Sequence, residues 1–203
     1  AQVVSLPFYV ALSKRTSKVK GYILGLAVWA VAMLFSFLLS PDAASFWIYI
    51  FAAVVGLGTG GIVVMIYAIF PDIPDVDELK SGERREAIYS ALVTFIRKFS
   101  SAFAIFAVSN AIGWAGYVPP IQETIDGATR LIEQPQSDTF IFVLRLIFML
   151  LPIVLLVFAL IFALRFPLTP ELHRRLNALL QRQRANASVD ETEKRDLTKV
   201  LLG

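Results

Sequence analysis

Residues 71 to 90 read PDIPDVDELKSGERREAIYS. They hold six acids (Asp72, Asp75, Asp77, Glu78, Glu83, Glu86) and three bases (Lys80, Arg84, Arg85) in a chain only 17% charged. Acids and bases fixed at helix ends can form an ionic latch that holds helices together in one state and releases them in another. Surface pairs contribute about 0 to 1 kcal/mol each. That weakness suits a switch whose states differ by only a few kcal/mol. The latch candidates are Asp72, Asp75 and Arg84; the plainer alternative is a solvated turn whose charges keep it out of lipid.

Lys98 is the second feature with chemistry in it. A helix starting near Arg84, with Gly82 before it and Glu83 and Glu86 suited to its first turn, puts Lys98 roughly 21 Å along the axis. A charge at the bilayer centre costs about 2.5 to 3.5 kcal/mol, so the ammonium is expected to face a cavity or a partner. Thr94 lies one turn earlier on the same face and Ala102 one turn later, leaving room beside it. Arg97 points about 100° away and reads as structural. The alternative for Lys98 is an interfacial anchor on a long helix.

Other reactive groups are few. Cys 0 excludes disulfides, thiolate ligands and cysteine nucleophiles. His173, the single histidine, sits in a basic tail and is expected to be solvated. No His/Asp/Glu set has metal-ligand spacing, and no Ser/His/Asp set converges, so neither a metal site nor an enzyme is expected. A formal charge of +3, concentrated near membrane ends, does not suggest nucleic-acid binding.

The elements that must position these residues are membrane helices. Of 203 residues, 57% are hydrophobic, and the mean hydropathy is +0.67. Residues 1–12 read as the end of a transmembrane helix; Ala1 falls in mid-pattern, so the chain is expected to be part of a longer polypeptide. Residues 21–40, 46–70, 87–116 and 138–166 are four full spans, each near or above the about 20 residues a crossing needs. Backbone groups in lipid must be satisfied internally, which makes them helices, and the short alternating segments of a β-barrel are absent.

Loop charge sets the orientation. Residues 13–20, 71–86 and the tail from Arg165 together hold fifteen bases, whereas the loops at 41–45 and 117–137 hold one, Arg130. By the positive-inside rule, residues 13–20, 71–86 and 167–203 are cytoplasmic and 117–137 is extracytoplasmic. Gly56, Gly58, Gly60 and Gly61 predict close helix packing, with a pathway lining as the alternative. Pro152 is expected to kink the last span, Arg145 to anchor its outer end, and Ser109 and Asn110 to bond a neighbouring helix. In the tail, Leu172, Leu176, Leu179 and Leu180 share a stripe ringed by Arg174, Arg175, Arg182 and Arg184. That pattern predicts an amphipathic helix on anionic membrane lipids, with partner binding as the alternative, followed by a polar linker.

The stretch DIPDVDELKSGERREAIYSALVTFIRKFSSAFA (72–104) resembles the loop and following helix of the glycoside–pentoside–hexuronide:cation symporters, the melibiose-carrier group of the major facilitator superfamily. NAIGWAGYVPP (110–120) and LRFPLTPELHRRLNALL (164–180) extend the similarity to almost the whole chain. The resemblance implies an all-α integral membrane fold, the C-terminal bundle of a twelve-helix carrier, running from the end of helix VIII through helix XII. It implies cation-coupled symport of a sugar or related small polar solute by alternating access, in a bacterial inner membrane. It makes Asp72, Asp75 and Arg84, with Arg15, an inter-bundle ionic lock, and Lys98 and Thr94 polar residues of the central cavity. Val63 falls near a sugar-associated aromatic of helix X and cannot stack on a sugar ring, which argues against a galactoside. No cofactor is implied; a coupling Na+ or H+ is, with ligands in an N-terminal bundle outside this chain. The rival reading is a non-transporting membrane subunit or receptor built on a degenerate carrier, which apolar residues in place of the cation-site acids would favour.

Overall fold

The computed structural model describes residues 1–38, 44–125, 128–185 and 191–202. The expected turn at 41–45 lies largely outside these, as does the start of the polar linker. Helix α1 (Gln2–Arg15) is followed by α2 (Lys18–Leu38) and α3 (Ser45–Ile69). Short α4 (Asp72–Ser81) leads to α5 (Glu86–Trp114), and α6 (Asp138–Arg165) follows a two-stranded hairpin. Helices α7 (Pro170–Arg184) and α8 (Glu191–Leu202) close the chain. Among the described residues, α2, α3, α5 and α6 provide the four stretches long and apolar enough to cross a membrane, at the four predicted places.

Helices α1, α2 and α3 pack through the predicted glycines of α3 and through Gly25 of α2, which the sequence did not single out. A Cβ on Gly58 would lie 2.8 Å from the Trp29 backbone nitrogen, and one on Gly25 would lie 2.8 Å from that of Ile62. Gly60 abuts Ser5 and Gln2, and Gly61 lies against the Tyr9 ring. Small residues allow this approach, and association inside lipid depends on such packing because lipid tails offer no hydrophobic gradient. Helix α6 closes on α2. Helix α5, by contrast, buries no side chain; it touches α4 and α6 and carries an outer stack of Phe95, Phe99 and Phe103, with centroids 6.1 and 6.4 Å apart.

Three segments depart from expectation. Residues 71–86, expected as a loop, contain α4. Asp72 and Asp75 favour its first turn and Lys80 its last, and Gly82 ends it in the left-handed conformation at φ 72°. Residues 117–137, also expected as a loop, contain antiparallel strands β1 (Ile121–Ile125) and β2 (Ala128–Ile132), paired from Ile121↔Ile132 to Ile125↔Ala128. The Gln136 amide clips the hairpin base, donating to the Val118 carbonyl (2.8 Å) and accepting from the Val118 N–H (3.0 Å).

The third departure is the tail, 167–203. Thr169 caps α7, accepting from the Leu172 N–H, and Pro170 occupies its first turn. Its leucine stripe does not lie on lipid. Leu176, Leu179 and Leu180 are buried with Leu79 of α4 and with Leu197 and Leu201 of α8. A leucine stripe is satisfied as well by another helix as by acyl chains, and here α4 and α8 supply the complement. The region expected as polar linker accordingly becomes helical from Glu191, and Arg175 and Arg182 reach Glu193 at 3.9 and 3.7 Å.

The glycine contacts give a direct test. Gly25→Ala and Gly58→Ala, each meeting neighbouring backbone, should destabilise the detergent-purified protein by about 1 to 3 kcal/mol in thermal unfolding followed by tryptophan fluorescence. Gly113→Ala, with no neighbour within 4 Å of its Cβ, should leave the midpoint unchanged or slightly higher. Equal behaviour of the three variants would contradict the packing.

Candidate functional site

One end of the bundle collects the charges. Lys18, at the start of α2, donates from Nζ to the Ala68 carbonyl of α3 (2.8 Å) and to both carboxylate oxygens of Asp72 (2.9 and 2.6 Å). Ala68 presents one of the last carbonyls of α3, which have no partner within the helix. Asp72 is 7% exposed, so its charge must be matched by protein groups. The second group facing it is His173 of α7, with Nε2 3.3 Å from Asp72 Oδ1 and 3.0 Å from the Asn177 amide nitrogen. His173, expected to be solvated, is thus drawn against α4 by the leucine packing of α7.

A second ionic contact lies further along α4. Arg184 forks onto Glu78, Nε to Oε1 at 2.9 Å and Nη2 to Oε2 at 2.5 Å, with Asp75 Oδ1 3.6 Å away. Hydrogen bonding by Arg184 holds the Glu78 carboxyl below its ordinary value despite the opposing effect of burial, and the charges of Arg184 and Arg84 add to the shift.

The expected latch residues therefore fall into two groups. Asp72 and Asp75 face Lys18, His173 and Arg184, all within this bundle. Arg84 pairs instead with its neighbour Glu86, and Arg85 with Glu83. Arg15 is exposed, and its side chain has no hydrogen bond or ion pair among the described residues. Sequence reasoning did not single out Lys18, Glu78 or Arg184 as partners. Each is an ordinary surface-type residue until the helices bring it opposite an acid or base far along the chain.

Beside this end, α2, α3, α5 and α6, with Ile73 of α4, line an open cavity of about 820 Å³. Thr94, Ser90 and Arg97 line it. Lys98 does not; it is exposed on α5 and has no ionic partner among the described residues. Arg97, expected to be structural, lines it although it too is exposed. The cause is the helical rotation between adjacent residues: Thr94 and Arg97, three apart, share the face that α5 turns toward α3 and α6. Val63 also lines this cavity.

The Arg184–Glu78 contact makes α7 docking pH-dependent. With its folded value below the ordinary 4.5, Glu78 stabilises the contact fully above that value, and the contribution is lost as pH falls through the depressed one. Hydrogen exchange in α7, corrected for intrinsic rates, should therefore accelerate on acidification below about pH 4.5. Glu78→Gln should show faster exchange already at neutral pH and a weaker acid dependence. Equal exchange in the two proteins at neutral pH would contradict the assignment.

Three relatives share this sequence pattern at moderate identity. An uncharacterised symporter of Synechocystis is 27% identical over 187 residues, covering 91% of this chain and 32% of the relative. A protein of Salmonella typhimurium provisionally named a sulfoquinovose importer is 32% identical over 142 residues, covering 70% of this chain and 27% of its own. One of Escherichia coli provisionally named a 2,3-dihydroxypropane-1-sulfonate exporter is 30% identical over 122 residues, 59% of this chain and 26% of its own. The chain thus spans about a third or less of the curated relatives it matches. The family profile described as MFS/sugar transport protein matches residues 1–170, through all four spans and the charged end, and the chain belongs to that family.

Proposed function

We propose that this chain is the C-terminal bundle of a cation-coupled symporter that moves a sugar or related small polar solute by alternating access. The observation that carries the reading is the family match across residues 1–170. Relatives named as symporters and as an importer of a sugar sulfonate support a polar, hydroxyl-bearing solute. The excess of bases on residues 13–20, 71–86 and the tail supports a cytoplasmic place for these segments, and the bacterial relatives support an inner membrane.

In this mechanism Lys98 is the coupling residue. Its ammonium, exposed on α5 and without an ionic partner among the described residues, faces a second bundle that carries the acids for the coupling Na+ or H+. A cation bound at those acids competes with the ammonium, so ion occupancy alters the position of lowest energy for Lys98. Thr94, one turn earlier on α5, lines the adjoining cavity. Arg15 and Arg84 act as latch members reaching the other bundle, and Asp72 and Asp75 hold the charged end of this one. Closing that end favours the outward-facing state.

Uptake by the intact carrier in proteoliposomes, with Na+ and H+ gradients imposed separately, tests the reading. Lys98→Ala should lower gradient-driven uptake by about tenfold or more, equivalent to about 1.4 kcal/mol of coupling, with membrane insertion unchanged. Normal cation-driven uptake in that variant would defeat the role given to Lys98. Uptake in the parent protein that ignores both gradients would defeat symport.

A further inference from the structure

We propose that α5 is an arm that swings onto α3 and α6 and closes the cavity beside the charged end, with the charge of Arg97 opposing closure. The arm stands apart from its own bundle. Every Cα of α5 lies more than 8 Å from every Cα of α2 and of α3, whereas packed helix axes run about 8 to 10 Å apart and bring facing Cα atoms closer than that. None of the α5 side chains is buried, and the space separating it from those helices is the open cavity of about 820 Å³. Both ends of the arm are turns. Gly82 before it has φ 72° and Gly116 after it φ 86°, the two positive-φ glycines among the described residues. A Cβ on either would meet nothing within 4 Å. Open turns at the ends of an element are where the backbone rotation of a hinge is absorbed.

The facing walls suit contact. Ser90 and Thr94, one turn apart on α5, and Ala159 and Ala163, one turn apart on α6, all line the cavity. Both pairs lie near the charged end, where α5 starts at Glu86 and α6 ends at Arg165. Small side chains at this spacing let two helices approach closely. The Thr94 hydroxyl donates to the Ser90 carbonyl of its own helix at 2.8 Å, so closure strands no donor there. Packed side chains also make more dispersion contacts than the walls of an open groove.

Arg97 works against this. It is the single charged residue lining the cavity, no carboxylate lines it, and Arg97 has no ion pair among the described residues. With the arm open, its side chain is exposed. Closure would press the guanidinium against aliphatic and aromatic walls, and an unpaired charge is costly there. The position of the arm is therefore a balance between packing gained and charge covered, and a neutral side chain at 97 moves that balance toward the closed state.

The test uses the intact carrier in vesicles, free of other cysteines, with Val63→Cys on α3 paired with Thr94→Cys on α5 and disulfide formation followed under mild oxidation. In the open arrangement these Cα atoms lie more than 8 Å apart, beyond the about 4.4 to 6.8 Å that a disulfide spans, so bridging reports closure. The pair should bridge. Arg97→Leu should speed bridging by about tenfold or more, and Arg97→Lys, which keeps the charge, should leave the rate near that of the parent pair. Ala159→Trp, which fills the cavity, should slow it. Val63→Cys paired with Phe95→Cys, turned about 100° away on α5, should not bridge. Absence of a disulfide in the first pair would overturn the proposal, as would equal bridging in the second. A rate unchanged by Arg97→Leu, or by Ala159→Trp, would overturn it too. None of these readouts depends on transport, so the arm can fail its test while the symporter reading stands.

Discussion

The Lys18 ammonium fixes the charged end. One cation accepts two separate negative demands, the terminal carbonyls of α3 and the nearly buried carboxylate of Asp72 at the start of α4. An ammonium has three donors, and Lys18 uses them on Ala68 and on both oxygens of Asp72. This ties the entry of α2 to the turn between α3 and α4. Asp72 in turn faces His173, so the position of α7 follows from the same contact. Without Lys18, Asp72 would keep a single facing partner at a site with little water, and leaving a buried charge so poorly matched is costlier than the pair itself is worth.

Two layers of order follow. In the apolar part, α1, α2 and α3 are held by backbone approach at glycines, where there is little room for rotation or sliding. At the charged end, α4, α7 and α8 form a separate leucine-filled cap, joined to the spans by Lys18 and to itself by Arg184. Helix α5 belongs to neither layer. It buries no side chain and exposes a phenylalanine stack along its length.

Much of this was legible in the sequence, because the bilayer imposes a length and polarity rule that few other environments do. The four spans stand out on that rule alone, and Gly58, Gly60 and Gly61 announced close packing by their small size. Helix α4 was less visible because the nine charged residues of 71–86 suggest a loop. Yet Ile73, Val76 and Leu79 recur at helical spacing, and Gly82 supplies the stop. The hairpin carried its own signal in Asp126-Gly127 between two strand-forming runs.

What stayed hidden was pairing at long range. Lys18 meets Asp72, and Arg184 meets Glu78, across separations of 54 and 106 residues that no local pattern encodes. The tail leucines were readable as an apolar stripe, but the sequence does not say whether lipid or another helix covers it. Arg97 and Lys98 differ by one residue and therefore by about 100° of rotation, so only Arg97 lines the cavity beside the charged end.

A double-mutant cycle on Lys18→Ala and Asp72→Ala, read as thermal stability of the detergent-purified protein, tests the central contact most directly. The pair should be non-additive, with a coupling of about 1 kcal/mol or more, and the Asp72 variant should gain little further loss from removal of Lys18. Additive losses would show that Lys18 and Asp72 stabilise the charged end independently, and the account of that end built on their contact would fail.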